Sequence, residues 1–144
     1  MAIPLDKRKR RGFGLVLDGG LIAFFDLQAR AGEEPSLEEI VRAPVAFKLW
    51  VMNEPIAKGH WPVIGRVHPI PAKLAEHPWF VLEDQLTGEL SLTKTGAEEV
   101  APKPGQIDKL EMAAVWERGH IVERLCDHFA GRPNSTALAL RPQK

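Results

Sequence analysis

The chain has too few cysteines for a disulfide and too little net charge to point to a partner. Cys126 is its one cysteine, so an intramolecular bridge is excluded and a reducing compartment fits. Lys and Arg number 19 and Asp and Glu number 19, giving a formal net charge of 0. The whole-molecule field therefore favours neither nucleic acid nor a charged membrane surface. No apolar run approaches the ~18 residues that a membrane span requires. The N-terminus, MAIPLDKRKRR, places its basic residues after a very short apolar piece, the wrong order and length for a secretory signal. We expect a soluble, unprocessed, cytoplasmic chain.

Catalytic constellations are equally scarce. Five histidines occur, His60, His68, His77, His120 and His128, but neither HExxH nor CxxC is present. His120 and His128 lie eight residues apart, beyond the i, i+4 spacing that lets one helix face chelate zinc. There are only three serines, and Ser36 is better read as a helix N-cap than as a nucleophile. Cys126 falls on an apolar helix face, where a thiol behaves as a small hydrophobe. The paired glutamates at 33–34, 38–39 and 98–99 read as solvated charge rather than as acid and base. Gly12-Phe13-Gly14 lacks a third glycine and leads into a strand, so it makes no dinucleotide-binding turn. The expectation is a binding protein without metal, cofactor or turnover.

What is present is apolar, aromatic and rich in turns. With 144 residues, 44% apolar and 26% charged, the composition is that of one globular domain. A domain of this size buries roughly two thirds of its unfolded surface and needs no cross-links to fold. Alternation over Ala2–Leu5, Phe13–Leu17 and Leu21–Leu27, with Asp18-Gly19-Gly20 as the turn, predicts a three-stranded antiparallel opening. Ser36 followed by Glu39 is a capping box that starts a short helix, which Pro44 stops. Val45–Met52 carries apolar residues on both faces and reads as a central strand.

The segment from Phe47 to Arg66, FKLWVMNEPIAKGHWPVIGR, is the densest in information, with Trp50, Trp61 and a Gly-His-Trp-Pro turn. Trp61–Val67 is expected to form the next strand. Trp79–Leu82 and Glu89–Thr93 flank a turn at Asp84-Gln85-Leu86-Thr87-Gly88 and predict a second hairpin. Thr95–Gly105 reads as a loop, and Leu110–Trp116 as a last strand. Ile121, Val122, Leu125, Cys126 and Phe129 recur at helical spacing over Arg118–Ala130, and Gly131 with Pro133 stops that helix. A single domain over residues 1–133 with a weakly structured tail over 134–144 is expected. Its core is assigned to Phe47, Trp50, Trp61, Trp116 and Phe129.

Four pieces in order, GFGLVLDGGLIAFFDL, PSLEEIVRAPVAFKLWVMNEPIAKGHWPVIGRV, LTGELSL and LEMAAVWERGHIVERLCDHFAGRPN, resemble the immunity protein 26 family of bacterial polymorphic toxin systems. WVMN followed by GHWPVIG is the most specific part. The resemblance implies an immunity protein that binds the C-terminal domain of a cognate secreted or contact-delivered toxin, in a 1:1 complex, and neutralises it. Many such toxins are nucleases with basic grooves, which an acidic patch would steer toward and fill. The acidic candidates are Glu33, Glu34, Glu38 and Glu39 around the first helix, and Glu83, Asp84 and Glu89 around the second hairpin. The basic run Lys7–Arg11 is a further candidate for a toxin-specific contact. No direct nucleic-acid contact is expected, although a small nucleic-acid binding regulator with a barrel-like sheet is the runner-up. The expected fold is α+β, a strongly bent, barrel-like antiparallel sheet of about six strands with two main helices.

Overall fold

The computed structural model describes residues 1–6 and 9–142. Its centre is a five-stranded sheet in the order β1 (Ala2–Asp6), β2 (Arg10–Asp18), β3 (Leu21–Arg30), β4 (Val45–Val51) and β8 (Val115–Trp116). Asp18 pairs with Leu21 across a two-residue turn in which Gly19 and Gly20 have φ of 49° and 95°. Two consecutive positive φ values match the twist of a tight hairpin, and glycine reaches them without a Cβ clash. Register shifts interrupt β2 at Gly12/Gly14 and at Val16/Asp18, β1 at Pro4/Asp6 and β3 at Phe24/Phe25. Such bulges bend strands, and here they curl the sheet into a half-barrel.

Both faces of this sheet are covered. One carries Ile3, Phe24, Phe47, Leu49, Trp61 and Trp116 together with Ile121 and Leu125 of α4 (Arg118–Ala130). The other carries Phe13, Ala23, Phe25 and Ala29 beneath Ile40 of α1 (Leu37–Arg42) and Leu74 of α3 (Ala72–Ala75). The capping box forms as the sequence predicts: the Ser36 hydroxyl accepts from Glu39 N at 3.1 Å, and the Glu39 carboxylate accepts from Ser36 N. One turn, α2 (Glu54–Ala57), precedes the buried Trp61.

A smaller sheet, in the order β6 (Leu90–Thr93), β5 (Phe80–Glu83) and β7 (Glu111–Met112), stands beside the first. Val81, Leu92 and Met112 form its own compact core. Trp50 of β4 stacks on Phe80 of β5, with centroids 4.4 Å apart, and joins the two sheets.

Several expectations change. Trp61–Val67 forms no strand: Pro62 has no N–H, and the main-chain bonds there, Trp61 N to Pro55 O and Ala2 N to Pro62 O, both at 3.0 Å, make no ladder. Leu110–Trp116 divides into β7 and β8 around Ala113 and Ala114, so Met112 enters the small core and Trp116 the large one. Both pieces pair in parallel, with β5 and β4, so the sheets are not wholly antiparallel. Within the 134–144 tail, Asn134 caps a short helix, α5 (Ser135–Leu140), through Ala137 N at 2.9 Å. Arg141 then anchors it on Leu110 O at 2.6 Å and Ile107 O at 2.5 Å. Of the five aromatic core assignments, Phe47, Trp61 and Trp116 are buried, whereas Trp50 and Phe129 are half-buried.

Candidate functional site: two acidic surfaces

The structure keeps the two acidic groups on different elements and gives them different surroundings. Glu33, Glu34, Glu38 and Glu39 are all exposed on the β3–α1 connection and the first turn of α1. Most of that charge is engaged locally. Glu33 accepts from Arg30 N at 2.8 Å, Glu38 pairs with Arg42 at 2.6 Å, and Glu39 belongs to the capping box. Arg11 donates to the Glu33 carbonyl at 2.5 Å. The exposed Glu38–Arg42 pair is worth little in stability but offsets one of these charges in the field a partner would feel, and the Arg11 guanidinium lies close by.

Glu83, Asp84 and Glu89 surround the tip of the β5–β6 hairpin, where the stretch from Phe80 to Thr93 holds no Lys or Arg. The tip is a fixed shape. The Asp84 carboxylate accepts from Leu86 N at 2.8 Å and Thr87 N at 3.0 Å. Gly88, at φ 72°, returns its N–H to Asp84 O at 2.9 Å. The Thr87 and Leu86 N–H groups hold the Asp84 carboxyl below the usual range, because a carboxylate accepting two amides is favoured over the acid. At the apex Leu86 is 96% exposed. An apolar side chain held open on a rigid, acidic loop has the form of an interface anchor with a charged surround.

Sequence reasoning identified the three acids and passed over Leu86. The signal was there, an apolar residue between the turn-formers Asp84 and Gly88. A second region also escaped it. Val63 and Ile64 lie exposed along the irregular segment after Trp61, and Leu37 of α1, also exposed, packs over Gly65 so closely that a Cβ there would meet it at 2.5 Å. A shallow groove of about 410 Å³ continues from this segment past Val16 and Ile56.

Several of the remaining candidates are engaged within the fold. Lys7 and Arg8 lie outside the described residues. Arg10 pairs with Asp6 at 2.9 Å, and Arg11 lies over the Phe13 ring at 5.9 Å. His60, His77 and His128 each meet one carboxylate, Glu54, Asp18 and Asp26 respectively. Among the described residues no group of three or more His, Cys, Asp and Glu is arranged to hold a metal. Burial pushes the Cys126 thiol up, and its Sγ lies 3.7 Å from the Leu5 carbonyl, so it is a poor nucleophile. No described helix is long and apolar enough to cross a membrane.

A family model described as Immunity protein 26 matches residues 1–92. No curated protein and no solved structure matches. The matched span includes both acidic groups and Leu86, and it ends before α4 and α5.

Proposed function

The chain belongs to the immunity protein 26 family, and from that premise we propose that it neutralises a cognate toxin nuclease by seating the β5–β6 hairpin in the toxin's substrate groove. A nuclease holds a polyanionic backbone, so its groove is basic. Glu83, Asp84 and Glu89 oppose that charge, and Leu86 supplies an apolar contact that excludes water at the centre. The single observation that carries this reading is the preformed, uncompensated acidic tip. A loop already fixed by its own hydrogen bonds loses little conformational entropy on docking.

The complex is 1:1 and forms in the cytoplasm, before the toxin meets its own producer's nucleic acid. The protein acts stoichiometrically and turns nothing over. The alternative, direct nucleic-acid binding, draws less support, since Arg10 and Arg11 are engaged by Asp6 and the Glu33 carbonyl.

The test begins with the reading frame next to this one. Its C-terminal domain is expressed with the present chain, co-purified, and assayed for nucleic-acid cleavage with and without an equimolar amount of it. A complex that suppresses cleavage is expected. Failure of the two chains to associate would overturn the binding reading, and a complex whose toxin cleaves no nucleic acid would overturn the nuclease assignment.

A further inference from the structure

Between the two sheets lies a cleft of about 420 Å³ that the toxin-binding reading does not use. Its size falls within the ~300–1,000 Å³ of small-molecule sites. Three lysines line it, and each comes from a different segment. Lys48 is on β4, Lys94 directly follows β6, and Lys109 ends the short turn before β7. The ammonium groups of Lys48 and Lys94 are held by contacts within the fold, and Lys109 is exposed at the rim. Lys48 Nζ donates to the Glu76 carbonyl at 2.7 Å, which leaves two of its three N–H donors for a ligand. Lys94 Nζ rides 4.9 Å from the centre of the Trp79 ring, whose π face holds the extended side chain in place.

Two carboxylates share the lining, Glu76 and Glu111. Glu111 is neutralised in the protein: Arg124 grips it with both terminal nitrogens, at 2.8 Å and 2.6 Å, while the guanidinium lies over Phe47 and Trp116. The excess charge in the cleft is therefore positive. The nearby guanidinium forks of Arg124 and Arg141, which would suit a ligand carboxylate, are already filled by Glu111 and by the Leu110 and Ile107 carbonyls, and the cations lining the cleft are compact lysine charges suited to phosphate. Burial lowers the Lys48 pKa, with Glu76 opposing the shift, as expected of an ammonium that lacks part of its solvation.

We propose that this cleft binds a short phosphate chain, free or carried by a nucleoside, with Lys48, Lys94 and Lys109 as its ligands. Such an anion bridges β4 of the large sheet, the end of β6 in the small one and the turn leading to β7. Binding only to the folded form, it raises the unfolding temperature by mass action. A bounded cleft favours a small ligand over nucleic acid, which would need a basic track along the surface.

The test uses the full chain without toxin, so its outcome is independent of the immunity reading. Sodium tripolyphosphate and a nucleoside triphosphate are titrated at constant ionic strength, by calorimetry and by thermal unfolding. Saturable 1:1 binding with a rise in Tm is expected for both. Affinity should fall about tenfold or more in Lys48→Gln/Lys94→Gln/Lys109→Gln, since three charge-assisted contacts are lost. It should stay unchanged in Lys58→Gln/Lys73→Gln, whose lysines are exposed outside the cleft. Lys109→Gln alone, at an exposed position, serves if the triple variant does not fold, and it should weaken binding severalfold. Absence of saturable binding, or equal losses in the cleft and control variants, would overturn the proposal. So would tighter binding to a single-stranded oligonucleotide that grows with its length.

Discussion

In the β2–β3 hairpin, Asp18 leads into Gly19 and Gly20, and the strands run 9 and 10 residues with side chains buried on both faces. In the β5–β6 hairpin, Asp84 also opens the turn, yet each strand is 4 residues long and Val81 and Leu92 provide much of its small core. The first therefore carries the fold. The second contributes little core and presents an exposed leucine among uncompensated acids. Similar turn chemistry thus serves two purposes, and what separates them is the length and burial of the strands behind each turn. A short hairpin on a small sheet can vary its tip without disturbing the half-barrel.

The sharpest way to break this comparison is to damage the large core directly. Trp61 is 1% exposed and meets Phe24 edge-on, with centroids 6.2 Å apart. Trp61→Ala should lower stability by about 3–5 kcal/mol, or prevent folding, in urea denaturation. A loss below about 1 kcal/mol would mean that the half-barrel does not depend on this anchor. Trp50→Ala should do less, about 1–3 kcal/mol, because the side chain is half-buried and its main partner is Phe80. Its particular effect should be faster amide exchange in β5 and β6 than in β2 and β3. Uniform loss of protection would contradict the division into two sheets.

Ser36→Ala removes one half of the capping box and should cost about 1 kcal/mol, with the change seen at α1 and not at the hairpin tip. Smallest of all, Leu86→Ala should leave the unfolding midpoint within about 0.5 kcal/mol of the parent, since the side chain touches almost nothing in the free protein. A larger loss would show that the tip supports the fold and is not a surface held ready for a partner.

How much of this was legible in the sequence depends on the range of the interaction. Signals carried by neighbours in the chain were readable: Asp18-Gly19-Gly20 for the tight turn, Ser36 with Glu39 for the cap, and Gly131 at φ 70° for the end of α4. The Trp61–Val67 segment misled because its apolar residues resemble a strand, while Pro62 and the docking of Leu37 over Gly65 impose irregular backbone. The switch between β7 and β8 depends on which core Met112 and Trp116 reach, a choice made by the tertiary fold. The same holds for the site. The acids of both groups were visible as residue types, but Arg42 pairs with Glu38 through the helix turn and Arg11 reaches the Glu33 carbonyl through the fold. The bond of Arg124 to Glu111, and with it the positive balance of the inter-sheet cleft, joins residues that no local pattern connects.

The central claim is that the hairpin tip, and not the helix-start acids, meets the toxin. It is tested most directly by measuring toxin affinity and association rate for two charge-reversed proteins, Glu83→Lys/Glu89→Lys and Glu33→Lys/Glu34→Lys. Reversal at the tip should weaken binding by about 10–100-fold, with a slower association that no longer falls as salt is raised, while reversal before α1 should change affinity by less than about threefold. The opposite ranking, with full affinity retained after reversal at Glu83 and Glu89, would contradict the account and move the contact to the α1 face.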